Sequence, residues 1–503
     1  MDITLVLLTI LFVLLIYGWN WLRKHFQYWD DLNIACDPPN WIAGNLKGAV
    51  TAKTFTQIWQ EYYDKYKDSG PFAGFFWFTK PGIFALDPNL IKHILIKDFA
   101  KFTDRGLYCN EEDDPLTGSL NTLDGQKWRQ MRNKISPTFT SSKMKTMLPL
   151  VLKEAQELVQ VLEDMSLENA IVEVRELLSR FTTNVIGSCA FGIEINTVRN
   201  PDDKFRTMCR RAMSEQRFGV TFRVTLPSLA KRLHMKQTLP DVEEYFMGLI
   251  TKTVECREQT KVRRNDFIDL LIDLKNNKSM KSESASDELT NLTFGQLAAQ
   301  AFSFLLAGNE TSSTAMSFAL YELAQNQRVQ QRARDEIIRV LEKHQQDFSY
   351  ECLKDMVYVD QIMKETLRLY SSLSVLNRSA LEDYVVPGNP KYVIKKGMPV
   401  LIPAAAIHRD ERYYPQPNVF NPDNFSPEMV KERDSILYLP FGEGPRNCVG
   451  MRFGKMQVII GLALMLKNFK FSVCDKTTIP MVYDKRSFLT CPAEGIYLRV
   501  EKV

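Results

Sequence analysis

A ten-residue stretch, Phe441 to Gly450, constrains this chain more than any other. Five of its positions follow the pattern F-x-x-G-x-R-x-C-x-G, namely Phe441, Gly444, Arg446, Cys448 and Gly450. Glycines let a backbone approach a bound group closely and aim amide N–H groups at a sulfur. The apolar run that follows predicts a helix, so Cys448 lies near a helix N-terminus, where the pKa of a thiol is lowered. The stretch therefore predicts a loop that presents Cys448 as a thiolate ligand.

Two other interpretations of this loop are weaker. A lone cysteine is most often a small buried hydrophobic residue. A phosphate-binding loop would need a third glycine where Asn447 stands, followed by Lys and Ser or Thr. The full pattern favours the ligand.

The loop resembles that of the cytochromes P-450, the haem-thiolate monooxygenases. The resemblance implies a mainly α fold with small β-sheets, forming a single large haem domain. It also implies haem b with Cys448 as the axial ligand, since a thiolate pushes electron density onto iron and favours O–O cleavage. By the same resemblance, Arg446 pairs with a haem propionate, Phe441 packs near the sulfur, and Gly444 and Gly450 shape the loop.

A second motif lies midway along a predicted helix of about 33 residues, 294 to 326, which would be near 50 Å long. Ala307-Gly-Asn-Glu-Thr311 matches the family motif A/G-G-x-D/E-T. Gly308 is expected to loosen the helix near the ring. Thr311 offers a hydroxyl that can hold oxygen or a water, and Glu310 can relay protons. The alternative is that Thr311 only donates back to a helix carbonyl.

Three shorter patterns extend the resemblance. Trp128 and Arg132 share a helix face at i,i+4 and match the family's W-x-x-x-R, whose side chains reach a propionate. Arg378 matches a further propionate contact, and Arg105 is an additional candidate. Glu365-Thr-Leu-Arg368 matches E-x-x-R, the internal brace of the family, although such a pair is usually an ordinary ion pair on a helix surface.

One position departs from the family. The brace normally receives an arginine from a P-x-R-F-like segment, where this chain has Asn424. An amide cannot make the charged bidentate contact of a guanidinium. Either Arg409 or Arg412 is the predicted substitute.

Size and charge set further limits. A length of 503 residues would allow about three domains, but motifs from 128 to 450 must converge on one cofactor, which favours one. With 64 basic and 60 acidic residues and no long basic run, nucleic acid is not an expected partner. Nine scattered cysteines without a C-x-x-C pair argue against disulfides or zinc.

The N-terminus predicts a membrane anchor over residues 1–22. Ile3 to Leu22 carries no charge and has the length of a bilayer span, with aromatic residues near its end and Arg23-Lys24 directly after. A cleaved signal peptide, the alternative, would start basic and end in a small-residue cleavage site. We expect a linker over 23–45 and a catalytic domain over 46–503, on the cytosolic face of the endoplasmic reticulum membrane.

The chain order predicts a coarse architecture. The aromatic stretch between 70 and 87 indicates a small sheet, with Lys80-Pro-Gly82 as its turn. Helical periodicity dominates from 126 to 375, interrupted by a polar exposed loop over 276–288. An irregular meander, Pro403 to Pro427, leads into the cysteine loop.

Electrons must come from outside the chain, because it has no dinucleotide-binding fingerprint. The resemblance implies an NADPH-dependent diflavin reductase, with cytochrome b5 as a further candidate. A basic face that could dock an acidic partner is formed by Lys127, Arg129, Lys134, Lys143 and Lys145. A solvated charged surface is the alternative.

The predicted substrate cavity is apolar. Its candidate lining residues are Phe302, Phe304, Leu305, Leu373 to Leu376, Phe488 and Leu489, although aromatic residues at helical spacing usually form core. The resemblance is nearest to the insect detoxification branch, which implies hydroxylation or epoxidation of xenobiotics, insecticides or insect hormones. The remaining alternatives are a haem-thiolate isomerase or dehydratase, and a non-catalytic haem carrier or sensor.

Overall fold

A computed structural model describes residues 3–503 except 169, 216, 265 and 277–290. Most of the described chain is helical. The α-helices are α1 Ile3–Phe26, α2 Tyr28–Asp31, α3 Phe55–Tyr66, α4 Pro88–Lys92, α5 Gly125–Ile135, α6 Ser141–Glu168, α7 Val174–Ile186, α8 Lys204–Ser214, α9 Val220–Thr225, α10 Pro227–Arg232, α11 Pro240–Thr260, α12 Phe267–Lys275, α13 Phe294–Gln325, α14 Gln327–Lys343, α15 Tyr350–Asp355, α16 Val357–Leu369, α17 Ala404–Ile407, α18 Pro427–Glu432 and α19 Met451–Asn468.

The strands form three small sheets. They are β1 Phe72–Trp77, β2 Lys80–Ala85, β3 Ile171–Glu173, β4 Leu376–Ser379, β5 Tyr384–Val385, β6 Val393–Ile394, β7 Pro399–Ile402, β8 Phe469–Ser472 and β9 Tyr497–Lys502. The sheet orders are β1-β2-β7-β4, β3-β9-β8 and β5-β6. All pairs are antiparallel except β2 with β7. This confirms the predicted mainly α class with small sheets.

The predicted long central helix is α13, which spans 32 residues. Its start is set by a capping box in which Thr293 and Gln296 exchange side-chain to backbone hydrogen bonds. The helix is buried over most of its length and packs against α7, α16 and α19 within the larger of two hydrophobic clusters. The second cluster lies under the β1-β2-β7-β4 sheet and α3.

The first sheet differs from the prediction in its turn. Lys80, Pro81 and Gly82 lie inside β2, and the turn is made by Phe78 and Thr79, with Phe78 at a φ of 55°. Proline at this position is tolerated because it lies near the start of the strand. The polar loop predicted over 276–288 falls, apart from Asn276, outside the described residues.

Helix α1 is 24 residues long, is apolar enough to cross a membrane and has no buried residue. It continues through Phe26, past the predicted end of the anchor. The segment predicted as a linker is part of the folded domain, because Trp29 is 1% exposed and lies against the backbone of Gly74, where any Cβ would collide with its ring. The linker predicted over 23–45 thus includes a residue that is anchored in the domain core.

Candidate active site

The cysteine loop is closed by one backbone hydrogen bond and by the close approach of Gly444 to the backbone of Leu95. The N–H of Cys448 donates to the carbonyl of Phe441 at 2.8 Å. Gly444 has a φ of 75°, and a Cβ there would collide with the carbonyl oxygen of Leu95. Only glycine satisfies both conditions, which explains this position of the motif without reference to a ligand.

Cys448 lies two residues before Gly450, the N-cap of α19, which begins at Met451. Burial raises the pKa of the thiol, while the N–H of Gly450 and the charges of Arg132 and Arg105 act to lower it. The Gly450 N–H acts in the direction predicted for a helix N-terminus, and desolvation of the sulfur acts against it. A metal that coordinates the sulfur would deprotonate it outright.

Arg132 lies on α5, outside the cysteine loop, and holds the loop in place. Its guanidinium donates to the carbonyl of Asn447 at 2.7 Å and to the Asn447 side-chain oxygen at 2.8 Å. This pair of bonds to the residue preceding Cys448 was not predicted, because nothing in the local pattern links two positions so far apart in the chain. Arg132 thus positions the loop as well as adding positive charge near the sulfur.

Arg446 lies beneath Trp128, with its guanidinium 4.8 Å from the indole centre. It donates to the backbone carbonyls of Thr103 and Leu123 and, at 3.3 Å, to Asp124. Its Nε is buried without a hydrogen-bond partner among the described residues. Three of the five N–H donors of Arg446 are therefore used within the protein, and Nε together with the second hydrogen of Nη2 remains for the predicted propionate contact.

Four arginines of this region act on one another through their charges. We call them the guanidinium cluster: Arg105, Arg132, Arg378 and Arg446. Burial and the neighbouring charges of Arg105 and Arg446 lower the pKa of Arg378 to about 9. Burial and Arg446 likewise lower the pKa of Arg105 to about 10, with Cys448 and Asp124 acting in the opposite direction. The Nε of Arg378 is also buried and unpartnered among the described residues.

Like charges that depress one another's pKa indicate a site suited to an anion. Guanidinium groups bind carboxylates through charge-assisted hydrogen bonds, so the guanidinium cluster fits a group that carries carboxylates beside a thiolate-bound metal. The two propionates of haem b meet this requirement. The donor set therefore fits the cofactor predicted from the motif.

The second motif lies within an unbroken stretch of α13. The Thr311 hydroxyl donates to the carbonyl of Ala307 at 2.6 Å, which is the alternative considered from sequence. A Cβ at Gly308 would collide with Ile186 of α7, so this glycine permits close helix packing. Helix loosening at Gly308 was not observed.

Glu310 forms an ion pair that the sequence did not indicate. Its Oε2 lies 3.2 Å from Nη2 of Arg175, at the start of α7. The same Nη2 is 3.6 Å from the sulfur of Cys491. The predicted proton-relay acid thus faces a cation on the neighbouring helix.

The two motifs meet because α19 packs against α13. The Gln457 side chain donates to the Gly308 carbonyl at 3.4 Å, and Gly454 faces Ser312. The helix that starts at the cysteine loop therefore runs alongside the Ala307–Thr311 segment. The contact between Gln457 and Gly308 joins positions 149 residues apart in the chain.

The brace, Glu365 and Arg368, is fully buried and bidentate, with N–O distances of 2.7 and 2.8 Å. Arg368 also donates to the carbonyls of His408, Pro417 and Val419, so it fastens the meander to α16. This confirms an internal brace and excludes an ordinary surface pair.

Asn424 keeps a contact with the brace, donating to Glu365 Oε1 at 3.1 Å. The predicted substitutes bind elsewhere: Arg409 donates to the Leu369 carbonyl, and Arg412 pairs with Asp410. Neither has a hydrogen bond to the brace among the described residues.

Of the three predicted cavity residues of α13, Phe302 and Leu305 are buried and Phe304 is partly buried. Phe302 packs on Phe246 with ring centres 5.1 Å apart, and Phe304 packs on Phe267 at 4.0 Å. Leu305 is fully buried. Leu373 and Phe488, by contrast, are partly exposed and remain candidates for the cavity wall.

A cysteine loop beside buried guanidinium groups, set along a long helix, defines the haem-thiolate class of protein. Comparison with known sequences makes the assignment specific. The family model for cytochrome P-450 matches residues 35–499. A "Probable cytochrome P-450 6a21" of Drosophila melanogaster is 58% identical over 506 residues, covering 100% of both chains.

Two further relatives agree. "Cytochrome P-450 6a9" of Drosophila melanogaster is 56% identical over 506 residues, with 100% of both chains covered. "Cytochrome P-450 6A1" of Musca domestica is 47% identical over 509 residues, covering 100% of this chain and 99% of the relative. The chain belongs to the cytochrome P-450 family, within its insect branch. Members of this family are monooxygenases that use haem b with a cysteine thiolate ligand, which confirms the predicted enzyme class and cofactor.

Proposed function

We propose that this enzyme is a membrane-anchored monooxygenase that hydroxylates or epoxidises lipophilic compounds, using O2 and electrons that a reductase takes from NADPH. The observation that carries the proposal is the packing of α19, which begins at the Cys448 loop, along the Ala307–Thr311 segment of α13. This arrangement brings a thiolate ligand and an acid–hydroxyl pair into one site.

Cys448 would hold the haem iron, and the guanidinium cluster with Trp128 would hold the propionates. When bound, this group supplies oxygen activation driven by the thiolate. Phe441 and Gly444 keep the loop closed, and the N–H of Gly450 stabilises negative charge on sulfur. Arg132 holds the loop through Asn447.

Thr311 and Glu310 would donate and transfer protons within the site. The Thr311 hydroxyl can release its hydrogen bond to Ala307 and donate towards the cavity, while its oxygen accepts from water. Glu310, held by Arg175, can pass a proton inward when it rotates away from that ion pair.

Replacement of Thr311 by alanine should uncouple turnover. We expect NADPH consumption to continue while product per NADPH falls by about tenfold or more, with hydrogen peroxide released instead, because the ordered hydroxyl is lost. The measurement is the ratio of product and peroxide to NADPH, with the reductase and a panel of lipophilic compounds.

The matched control is Thr314→Ala, one turn along α13, where the hydroxyl is buried without a hydrogen-bond partner among the described residues. It should keep native coupling. Reductase-independent conversion of a peroxide substrate would favour the isomerase or dehydratase alternative. An absence of any NADPH consumption by the native protein would favour the carrier or sensor.

The substrate class and location rest on the insect relatives and on α1. The relatives' names place them in one P-450 subfamily of flies and give no substrate. Lipophilic xenobiotics and insecticides, or insect hormones, are the proposed substrates. The apolar body of α1, with Arg23 and Lys24 in its last turn, supports anchoring in the endoplasmic reticulum membrane with the catalytic domain in the cytosol.

An NADPH-dependent diflavin reductase, with cytochrome b5 as a second candidate donor, would dock on the basic face of α5 and α6. Lys127 and Arg129 are exposed there. Lys127 is paired with Glu111 and Lys145 with Glu351, so part of this charge is compensated within the chain. Arg129 and Lys143 therefore carry more of the proposed attraction than the sequence indicated.

Charge reversal by Lys127→Glu with Arg129→Glu should raise the reductase concentration needed for half-maximal turnover. Opposite charges accelerate association most at low ionic strength, so we expect an effect of about tenfold at low salt that shrinks as salt increases. The control is Lys252→Glu with Lys261→Glu, which reverses the charge of two exposed lysines, one on α11 and one at its C-terminal end. An unchanged reductase requirement at low salt would remove this docking face.

A further inference from the structure

The brace in this chain lacks one arginine of the family pattern, yet its carboxylate is fully hydrogen-bonded. Glu365 Oε2 accepts from Arg368 Nε, and Oε1 accepts from Arg368 Nη2, from the Asn421 N–H at 2.9 Å and from the Asn424 amide at 3.1 Å. Asn424 thus supplies the missing hydrogen bond but no charge. A buried carboxylate with only one charged partner is held less firmly than one with two.

An arginine from outside the motif lies behind Asn424. Arg433, which directly follows α18, donates from Nη2 to the backbone carbonyl of Asn424 at 3.1 Å. Its guanidinium carbon lies 4.2 Å from the ring centre of Tyr414 and 5.3 Å from that of Phe425. Arg433 therefore holds the residue that contacts Glu365 and two aromatic side chains beside it.

Tyr414 connects this arginine with the brace. Its ring is fully buried and also receives the guanidinium of Arg368 at 4.9 Å. A desolvated aromatic face attracts cations, so Tyr414 can bind both arginines while separating their charges. Its hydroxyl donates to the carbonyl of Leu437 at 2.9 Å.

The same contacts lead to the cysteine loop. Leu439 donates its N–H to Nε2 of His408 at 2.8 Å, and the His408 carbonyl accepts from Arg368. Leu437 and Leu439 lie within the four residues before Phe441, which begins the loop. The brace therefore fixes the approach to the loop through Tyr414 and through His408.

We propose that Asn424 and Arg433 together replace the single meander arginine of the family, with Arg433 as a positioning residue for the chain that leads into the Cys448 loop. Asn424 supplies the hydrogen bond to Glu365, and Arg433 supplies the cation, displaced by nine residues and bound on Tyr414. The inference uses the haem site of the family and is independent of the proposed substrate and electron donor.

The test measures the rate at which purified holoenzyme loses haem, detected as transfer of the haem to apomyoglobin, and compares this rate between variants. Arg433→Met should speed haem loss by about 5-fold to 30-fold, because a cation–π contact and a charged hydrogen bond are lost together. Lys431→Met, which removes an exposed positive charge two residues away, should match the native rate. Amide hydrogen exchange at residues 437–441 should quicken only in the Arg433 variant.

Rescue separates this role from general destabilisation. Asn424→Arg, introduced into the Arg433→Met variant, restores a guanidinium at the family position and should return haem loss to near the native rate. If Arg433→Met alone does not yield folded holoenzyme, recovery of folded holoenzyme in the double variant with Asn424→Arg counts as the same rescue. Haem loss from Arg433→Met that equals the Lys431→Met rate, or a double variant that does not recover, would overturn the proposal.

Discussion

Replacement of Cys448 by alanine is expected to abolish turnover, lowering product formation by roughly three orders of magnitude or more. Removal of the thiolate takes away the ligand whose electron donation favours O–O cleavage. The loop itself should persist, because its closure uses the Cys448 N–H, the Phe441 carbonyl and the Gly444 approach to Leu95, none of which needs the sulfur. The measurement is reductase-supported product formation alongside circular dichroism of the same preparation.

Cys256 provides the control for this experiment. It is an exposed free cysteine on α11, so Cys256→Ala removes a thiol without touching the site. Native activity in this variant is expected. Substantial turnover by Cys448→Ala would show that another residue ligates the iron.

Glu365→Gln is expected to be among the most damaging single changes to stability. It preserves the shape of the side chain but leaves Arg368 as an uncompensated charge at a position with no solvent exposure. Breaking a buried pair of this kind costs about 3–5 kcal/mol, a large part of the stability of a typical protein. We expect a lower midpoint of denaturant unfolding and poor recovery of haem-loaded enzyme.

The same helix offers a matched comparison in Asp360→Asn. Asp360 pairs with Lys364 at 2.7 Å, but both side chains are about a quarter exposed. Solvent weakens such a pair, so the change should cost about 1 kcal/mol or less. If the two variants unfold at the same denaturant concentration, the brace does not have the role assigned to it.

The parts of the fold that could be predicted are those whose cause is local. The cysteine loop needs a glycine of positive φ at 444, and α13 begins at a Thr–Gln capping box and continues through an apolar helix. Such signals lie within a few residues of each other. The loop, the long helix and the brace were therefore predicted from sequence.

Burial between distant segments could not be predicted in this way. Trp29 follows an apolar anchor and precedes prolines, which is the pattern of a linker, yet it packs against Gly74. Phe302 and Phe304 have the helical spacing expected of a cavity wall and also of core, and the sequence does not show that they pack on Phe246 of α11 and Phe267 of α12. The sequence pattern of one segment does not give the position of the segment that packs against it.

The charged partners were missed for the same reason. Arg132 binds Asn447, Arg175 pairs with Glu310, and Arg433 contacts Asn424. Each arginine lies outside the motif of the residue it positions. A charged side chain in an unremarkable stretch has many possible partners, and only the packed structure selects one.

The absorption spectrum of the reduced native protein with carbon monoxide tests the central claim most directly. If Cys448 is the thiolate ligand of a haem, the spectrum should show the red-shifted Soret band of a thiolate-bound carbonyl complex, and Cys448→Ala should lack it. A folded, haem-loaded native protein without that band, or a Cys448→Ala variant that retains it, would contradict the assignment.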